Sequence, residues 1–228
     1  MIFRQYFDEI TNSYTYAFGD SGTREIVFVD TVKEHLDFYK WEINKNGWKL
    51  RYLCETHLHE DHITAAGALH ECFTESKILV SQNAPRNCFG VRVSDNRQLL
   101  VGQIVFEFLN TPGHSPESLC ILVNGSRLLT GDTLHIGSIG HSLEKNADYT
   151  TDHFRSLQRL KHLALDTLIY PGHDLNGRTV STLIEELKQN VIFKCTDLNE
   201  FKAAQSGIDF SLFKQHKFAS AANLNHGI

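Results

Sequence analysis

The chain has 228 residues, a formal net charge of −5, 41 % hydrophobic and 21 % charged residues, and 13 histidines. That length and balance suit one globular domain and exclude a disordered chain, a collagen-like repeat or a small disulfide scaffold. The acidic balance argues against a nucleic-acid partner, and no run reaches the roughly 18 apolar residues of a membrane helix.

Residues 1–9 lack the basic start and apolar run of a secretory signal, so a cytoplasmic protein is expected. Residues 14–18 alternate as a strand, Gly19-Asp20-Ser21-Gly22 is a turn, and 25–29 is a second strand. Leu36, Tyr39 and Ile43 recur at helical spacing over 34–46, and Gly47 ends that helix. A strand over 50–55 follows, then a helix over 63–73 with Ala65, Ala66, Leu69 and Phe73 on one side. Short strands are predicted at 77–81, 103–109, 118–123 and 127–130, the last two joined by the hairpin signal Asn124-Gly125-Ser126. Phe154, Leu157, Leu160 and Leu163 mark a helix, and 167–170 a buried strand. Val180, Leu183, Ile184, Leu187 and Val191 mark a further amphipathic helix. A last helix over 198–204 precedes an irregular tail, so 1–228 reads as one domain with a short helical tail. The fold class is α/β, two mixed sheets flanked by helices. The cysteines at 54, 72, 88, 120 and 195 are odd in number, widely spaced and without a C-x-x-C pair. Free thiols in a reducing compartment follow.

The strand over 50–55 runs into Thr56-His57-Leu58-His59-Glu60-Asp61-His62. Alternate residues of an extended segment point the same way, so His57 and His59 converge, while Asp61 and His62 face a neighbouring point. Imidazole and carboxylate are ligands for Zn, Fe, Mn and Ni. His-x-His-x-Asp-His arises by chance on the order of 10⁻⁵ per position in such a composition. Three later strand ends share one form, a small-residue turn and then a ligand-type side chain. They are Thr111-Pro112-Gly113-His114, Leu129-Thr130-Gly131-Asp132 and Tyr170-Pro171-Gly172-His173. Glycine there lets the backbone approach a bound ion closely.

This four-part pattern over 57–174 resembles the metallo-β-lactamase superfamily. The resemblance implies an αββα sandwich with a metal site at one edge. His57, His59 and His114 would form a first site, and Asp61, His62 and His173 a second, with Asp132 able to bridge. Residues 118–137, 171–182 and 222–227 are similar, more narrowly, to the persulfide dioxygenases of that superfamily. In that family one Fe(II) is held at the positions of His57, His114 and Asp132, and glutathione persulfide is oxidised by O₂ to sulfite and glutathione. Two His and one carboxylate leave open positions on the metal, which suits O₂ chemistry.

Two positions depart from the family. The Arg-Gly-Cys-Gly-Arg-type loop after the Gly-Asp motif is Ile136-Gly137-Ser138-Ile139-Gly140-His141-Ser142, and Leu175 stands where relatives carry Tyr. A guanidinium suited to a glutathione carboxylate is therefore missing, with Arg178 or Lys145 as substitutes. The rival reading is a dinuclear Zn hydrolase of glyoxalase II type, an acyl-glutathione thioesterase using all seven ligands. Only 55 residues follow His173, shorter than the glutathione-binding helical domain of those enzymes, which favours the dioxygenase. A sensor or binding module has no need of the open metal site, and homodimerisation is the commonest oligomeric prior. His135, His141 and Arg178 are candidate substrate contacts. His35, His70, His153, His162 and His216 are expected to be partly exposed, and His226 lies in the family-like tail.

Overall fold

Apolar residues on both faces of the central strands require each sheet to be covered twice. The computed structural model describes residues 1–141, 149–173, 177–207 and 219–227; Lys145, Leu175 and His216 lie outside them. In chain order the elements are β1 (Ile2–Asp8), β2 (Ser13–Gly19), β3 (Glu25–Val29), α1 (Leu36–Asn46), β4 (Lys49–Cys54) and α2 (Ala66–Cys72). Then come β5 (Lys77–Ser81), β6 (Val91–Val93), β7 (Arg97–Val101), β8 (Ile104–Asn110), β9 (Leu119–Val123), β10 (Arg127–Gly131) and α3 (Thr150–Leu160). β11 (Leu168–Pro171), β12 (Ser181–Thr182), α4 (Leu183–Gln189), α5 (Leu198–Gln205) and α6 (Ala219–Asn223) complete the series.

The strands form two six-stranded mixed sheets, ordered β1-β2-β3-β4-β5-β6 and β12-β11-β10-β9-β8-β7. Val27 and Val29 of β3 meet Leu119, Ile121 and Val123 of β9 between the sheets. The alternate residues Ile26 and Phe28 face outward onto Tyr39 and Ile43 of α1 and Leu69 of α2. On the other sheet Leu128 and Ile169 face Leu157 and Leu160 of α3, Leu183 of α4 and Phe201 of α5. The layers are therefore helix, sheet, sheet, helix, as the sequence predicts. No helix among the described residues is long and apolar enough to cross a membrane.

Several elements differ from the sequence reading. β1 is an edge strand paired antiparallel to β2, and Arg4 and Gln5 interrupt its apolar pattern. β6 and β7 are also sheet-edge strands, with most of their residues exposed or half-buried. The helix read from residue 180 begins only at Leu183. Ser181 and Thr182 pair with β11, and Thr182 with Glu185 closes a capping box. Thr-x-x-Glu is a helix start visible in the sequence, and it overrides the apolar period N-terminal to it.

β4 and its neighbours β3 and β5 run parallel, and β8, β10 and β11 share one direction in the second sheet. The ends of β4, β8, β10 and β11 therefore emit the four loops that carry the predicted ligands. The tail returns to the first of these. Asn223 of α6 accepts from Thr64 N–H at 2.9 Å and donates to the carbonyls of His59 and His62, both at 2.9 Å. All three groups are buried with the side chain that satisfies them. Asn223→Ala is expected to cost about 2–3 kcal/mol, seen as a lower urea midpoint at unchanged slope. A loss below about 0.5 kcal/mol would contradict this role for the tail.

Candidate metal centre

Asp30 follows β3 in a left-handed conformation, φ 54°, directly beside the end of β4. Its Oδ1 accepts from Thr56 N–H at 2.7 Å and its Oδ2 from the Thr56 hydroxyl at 2.9 Å. With its proton given to Asp30, Thr56 Oγ1 accepts from His57 Nδ1–H at 3.0 Å. Asp30 Oδ1 also accepts from His59 Nε2–H at 3.1 Å. One carboxylate thus sets the neutral tautomers of two histidines, with a lone pair at Nε2 of His57 and, once the proton there is lost, at Nδ1 of His59. Their rings stand 4.1 Å apart, the convergence expected from the His-x-His spacing.

The other three loops repeat this logic. His114 Nδ1–H donates to the His141 carbonyl at 2.5 Å and His173 Nδ1–H to the Thr11 carbonyl at 3.2 Å. Carbonyls only accept, so both rings present Nε2. These atoms lie 3.7 Å and 3.5 Å from Asp132 Oδ2. The glycines make close approaches, but to protein atoms. A Cβ on Gly131, whose φ is 47°, would fall 2.4 Å from Thr56 Oγ1, and one on Gly172 2.5 Å from Asp132 Oδ1. The β10 turn is thereby pressed onto the base of the His-x-His loop, and the β11 turn onto the β10 turn.

Three groups of ligand-type side chains result among the described residues. One, Asp30, Glu55 and His59, is made largely of residues that orient His59, and two are made of the predicted ligands. One atom each from His57, His114 and Asp132 lies within 4.8 Å of the others, and the same holds for His59, Asp61 and His62. His173 Nε2 lies between these two groups, 3.7 Å from Asp61 Oδ2. The structure thus gathers all seven residues named from the sequence. His59 Nδ1 and His62 Nε2 are buried without a hydrogen-bond partner, as donors aimed at a cation are. The residues present fit a metal.

Electrostatics agrees with that chemistry. Burial pushes His57 down to about 3 and His114 well below the usual imidazole value, which favours the neutral rings that a metal requires. Burial alone would raise Asp132 and Asp61. The imidazoles win, His173 and His114 around Asp132 and His62 beside Asp61, and hold both carboxyls well below their usual range. Burial opposes charge on His59, yet Asp30 raises it well above the usual value. An ion arriving at Nδ1 would displace a proton there.

Other candidates fall elsewhere. His135 has no exposed surface and lies 3.2 Å from Asp132 Oδ1. His141 is half-buried, its ring 5.5 Å from that of His114. Arg178 pairs with Glu185 at 3.5 Å, at the start of α4. His153, expected to be partly exposed, is fully buried, because its Nε2–H donates to the Thr133 carbonyl at 2.7 Å beneath the Asp132 loop. His226 is buried too, held to the Phe89 carbonyl. Sequence reasoning missed Asp30, Asn223 and Glu55, whose Oε2 lies 3.3 Å from His59 Nε2. For Asp30 a signal existed, since it is a carboxylate placed at a strand end just as Asp132 is. Asp30→Ala is expected to weaken Zn or Fe(II) binding about 10–100-fold in a chelator competition titration. Unchanged affinity would refute the coupling through Thr56 and His59.

No family model matches the chain. The crystal structure of ETHE1 from Myxococcus xanthus is 36 % identical, is covered over 100 % of both chains and superposes with a TM-score of 0.92. The human protein named persulfide dioxygenase ETHE1, mitochondrial, is 29 % identical over 231 residues, 100 % of this chain and 89 % of that protein. A probable polyketide biosynthesis zinc-dependent hydrolase, BaeB of Bacillus velezensis, is 25 % identical over 86 % of this chain and 88 % of its own length. A metallo-β-lactamase structure from Staphylococcus aureus is 25 % identical with a TM-score of 0.88 over 100 % of this chain and 72 % of its own. On that likeness and the full-length likeness to ETHE1, the chain belongs to the metallo-β-lactamase superfamily, in its persulfide dioxygenase-like branch.

Proposed function

We propose that the protein is an Fe(II)- and O₂-dependent persulfide dioxygenase, one iron per chain. It oxidises glutathione persulfide, or another low-molecular-weight persulfide, to sulfite and the free thiol. The balanced reaction takes one persulfide, one O₂ and one water to one thiol and one sulfurous acid, which ionises to sulfite. The convergence of His57, His114 and Asp132 from three separate strand ends carries this reading. Two neutral imidazoles and one carboxylate leave the rest of the coordination sphere open. Fe(II) at that triad supplies the redox chemistry between O₂ and the terminal sulfur.

The chain's own residues orient and enclose. Thr56 and the His141 carbonyl hold the rings of His57 and His114 in one tautomer each. A cavity of about 290 Å³, lined by Asp8, Ile10, Thr11, Glu34, Asp61, His62, Ile63 and Ala219, opens beside the cluster. Its described lining offers three acids, Thr11, His62 and apolar groups, and no Lys or Arg. Small persulfides therefore belong in the test beside glutathione persulfide. The five cysteines are free, in keeping with a reducing compartment, for which we take the cytoplasm.

A second reading has its own observation. His59, Asp61 and His62 also bring one ligand atom each within 4.8 Å of one another, which suits a dinuclear Zn thioesterase of glyoxalase II type. Oxygen uptake and thioester hydrolysis by one purified sample separate the two. Uptake of O₂ matched one-to-one by sulfite, with negligible hydrolysis of an acyl-glutathione, is the expected result. Thioester hydrolysis without O₂ uptake overturns the dioxygenase. Asp132→Ala is expected to abolish iron retention and His62→Ala to spare it, by metal analysis after desalting. Equal loss in both variants points to two metals.

A further inference from the structure

Three buried polar residues outside the ligand set form a connected unit, His135 after β10 and Glu186 and Asn190 on and just after α4. His135, Glu186 and Asn190 are 0 %, 2 % and 0 % exposed. His135 Nε2 lies 3.2 Å from Asp132 Oδ1. A carboxylate only accepts, so the imidazole donates. The other oxygen, Oδ2, faces His173 and His114. The two oxygens of Asp132 thus have separate tasks.

The loop bearing His135 is closed and fastened. His135 and Ser138 exchange backbone hydrogen bonds at 3.1 Å and 3.3 Å. Gly137 N–H donates to Glu186 Oε2 at 2.8 Å. The Asn190 amide donates to the carbonyls of Ser138 at 2.9 Å and His135 at 3.4 Å, and to Glu186 Oε2 at 3.0 Å. Its Oδ1 accepts from the N–H groups of Ile192 and Phe193 at 3.2 Å and 3.1 Å. A buried carboxylate and carboxamide are costly unless satisfied, and here the loop backbone satisfies them.

We infer that His135 is a positioning residue that occupies Oδ1 of Asp132 so that this side chain offers a metal Oδ2 alone, and that α4 holds it there through Glu186 and Asn190. A carboxylate with a donor on one oxygen does not swing to bind through both. The coordination position that a second oxygen would fill stays open for a small ligand. The inference rests on Asp132 being a metal ligand, and it moves His135 from substrate contact to support of that ligand.

Co(II) is a suitable probe, since affinity and visible absorption are both readable without turnover. His135→Leu, of similar bulk and without a donor, is expected to weaken Co(II) binding about 10–100-fold and to shift the absorption of the bound ion. His135→Gln, which keeps a donor, is expected to restore most of the affinity and the parent spectrum. A folded His135→Leu with parent affinity and spectrum overturns the inference, as does a glutamine variant no better than leucine. If His135→Leu fails to fold, His135→Asn, polar but shorter in reach, is read by the same criteria. Asp132→Ala separates the two layers. Co(II) loss there with none in His135→Leu overturns the positioning role alone. Co(II) retained at parent affinity and spectrum in Asp132→Ala overturns the ligand assignment beneath it.

Discussion

Burial of imidazoles and carboxylates at one edge of a two-sheet sandwich is the constraint around which the site is arranged. His57, His59, His62, His114, Asp132 and His173 are all buried, and Asp61 is half-buried. Such groups are costly in a low-dielectric interior unless each is paired, hydrogen-bonded or coordinated. The protein meets this with a fixed division of labour. One atom of each group is tied to protein, and the other is aimed inward. Asp30 ties Thr56 and His59, the His141 and Thr11 carbonyls tie His114 and His173, and His135 ties Asp132. The atoms left over are the ones that converge.

That division explains why parts of the chain distant in sequence are needed together. The β1–β2 turn supplies the Thr11 carbonyl, and the tail supplies Asn223, which clamps the carbonyls of His59 and His62. α3 supplies His153 beneath the Asp132 loop, and α4 fastens the segment that carries His135. The converging atoms come from strand ends, where parallel neighbours place successive loops side by side. The atoms that orient them come from turns, helices and the tail.

Much of this was legible in the sequence, for specific physical reasons. Period-two apolar runs located the inner strands, since Val27, Val29, Ile121 and Leu129 have a core to face. The converging cluster was legible because His-x-His-x-Asp-His and the three Gly-turn residues are dense, local and chemically unusual. The edge strands β1, β6 and β7 were not, because a strand with one bare side has no strict pattern to keep. Asp30, Glu55, Asn223 and His153 were not, because orientation of a ligand requires only a donor or acceptor at the right place in space. Nothing in the local sequence of Asn223 announces that it will meet residues 59, 62 and 64. The start of α4 was misplaced although Thr182 and Glu185 spelled its cap, because the apolar period extended one turn beyond it.

The seven candidate ligands form two neighbouring triads with His173 between them, so the number of metals is the deciding quantity. Diffraction from crystals loaded with Fe(II), recorded at the iron edge, measures it directly. A single anomalous peak is expected, bounded by Nε2 of His57, Nε2 of His114 and Oδ2 of Asp132, with His59, Asp61 and His62 free of metal. Two peaks of comparable height, or one peak among His59, Asp61, His62 and His173, would contradict a mononuclear iron centre.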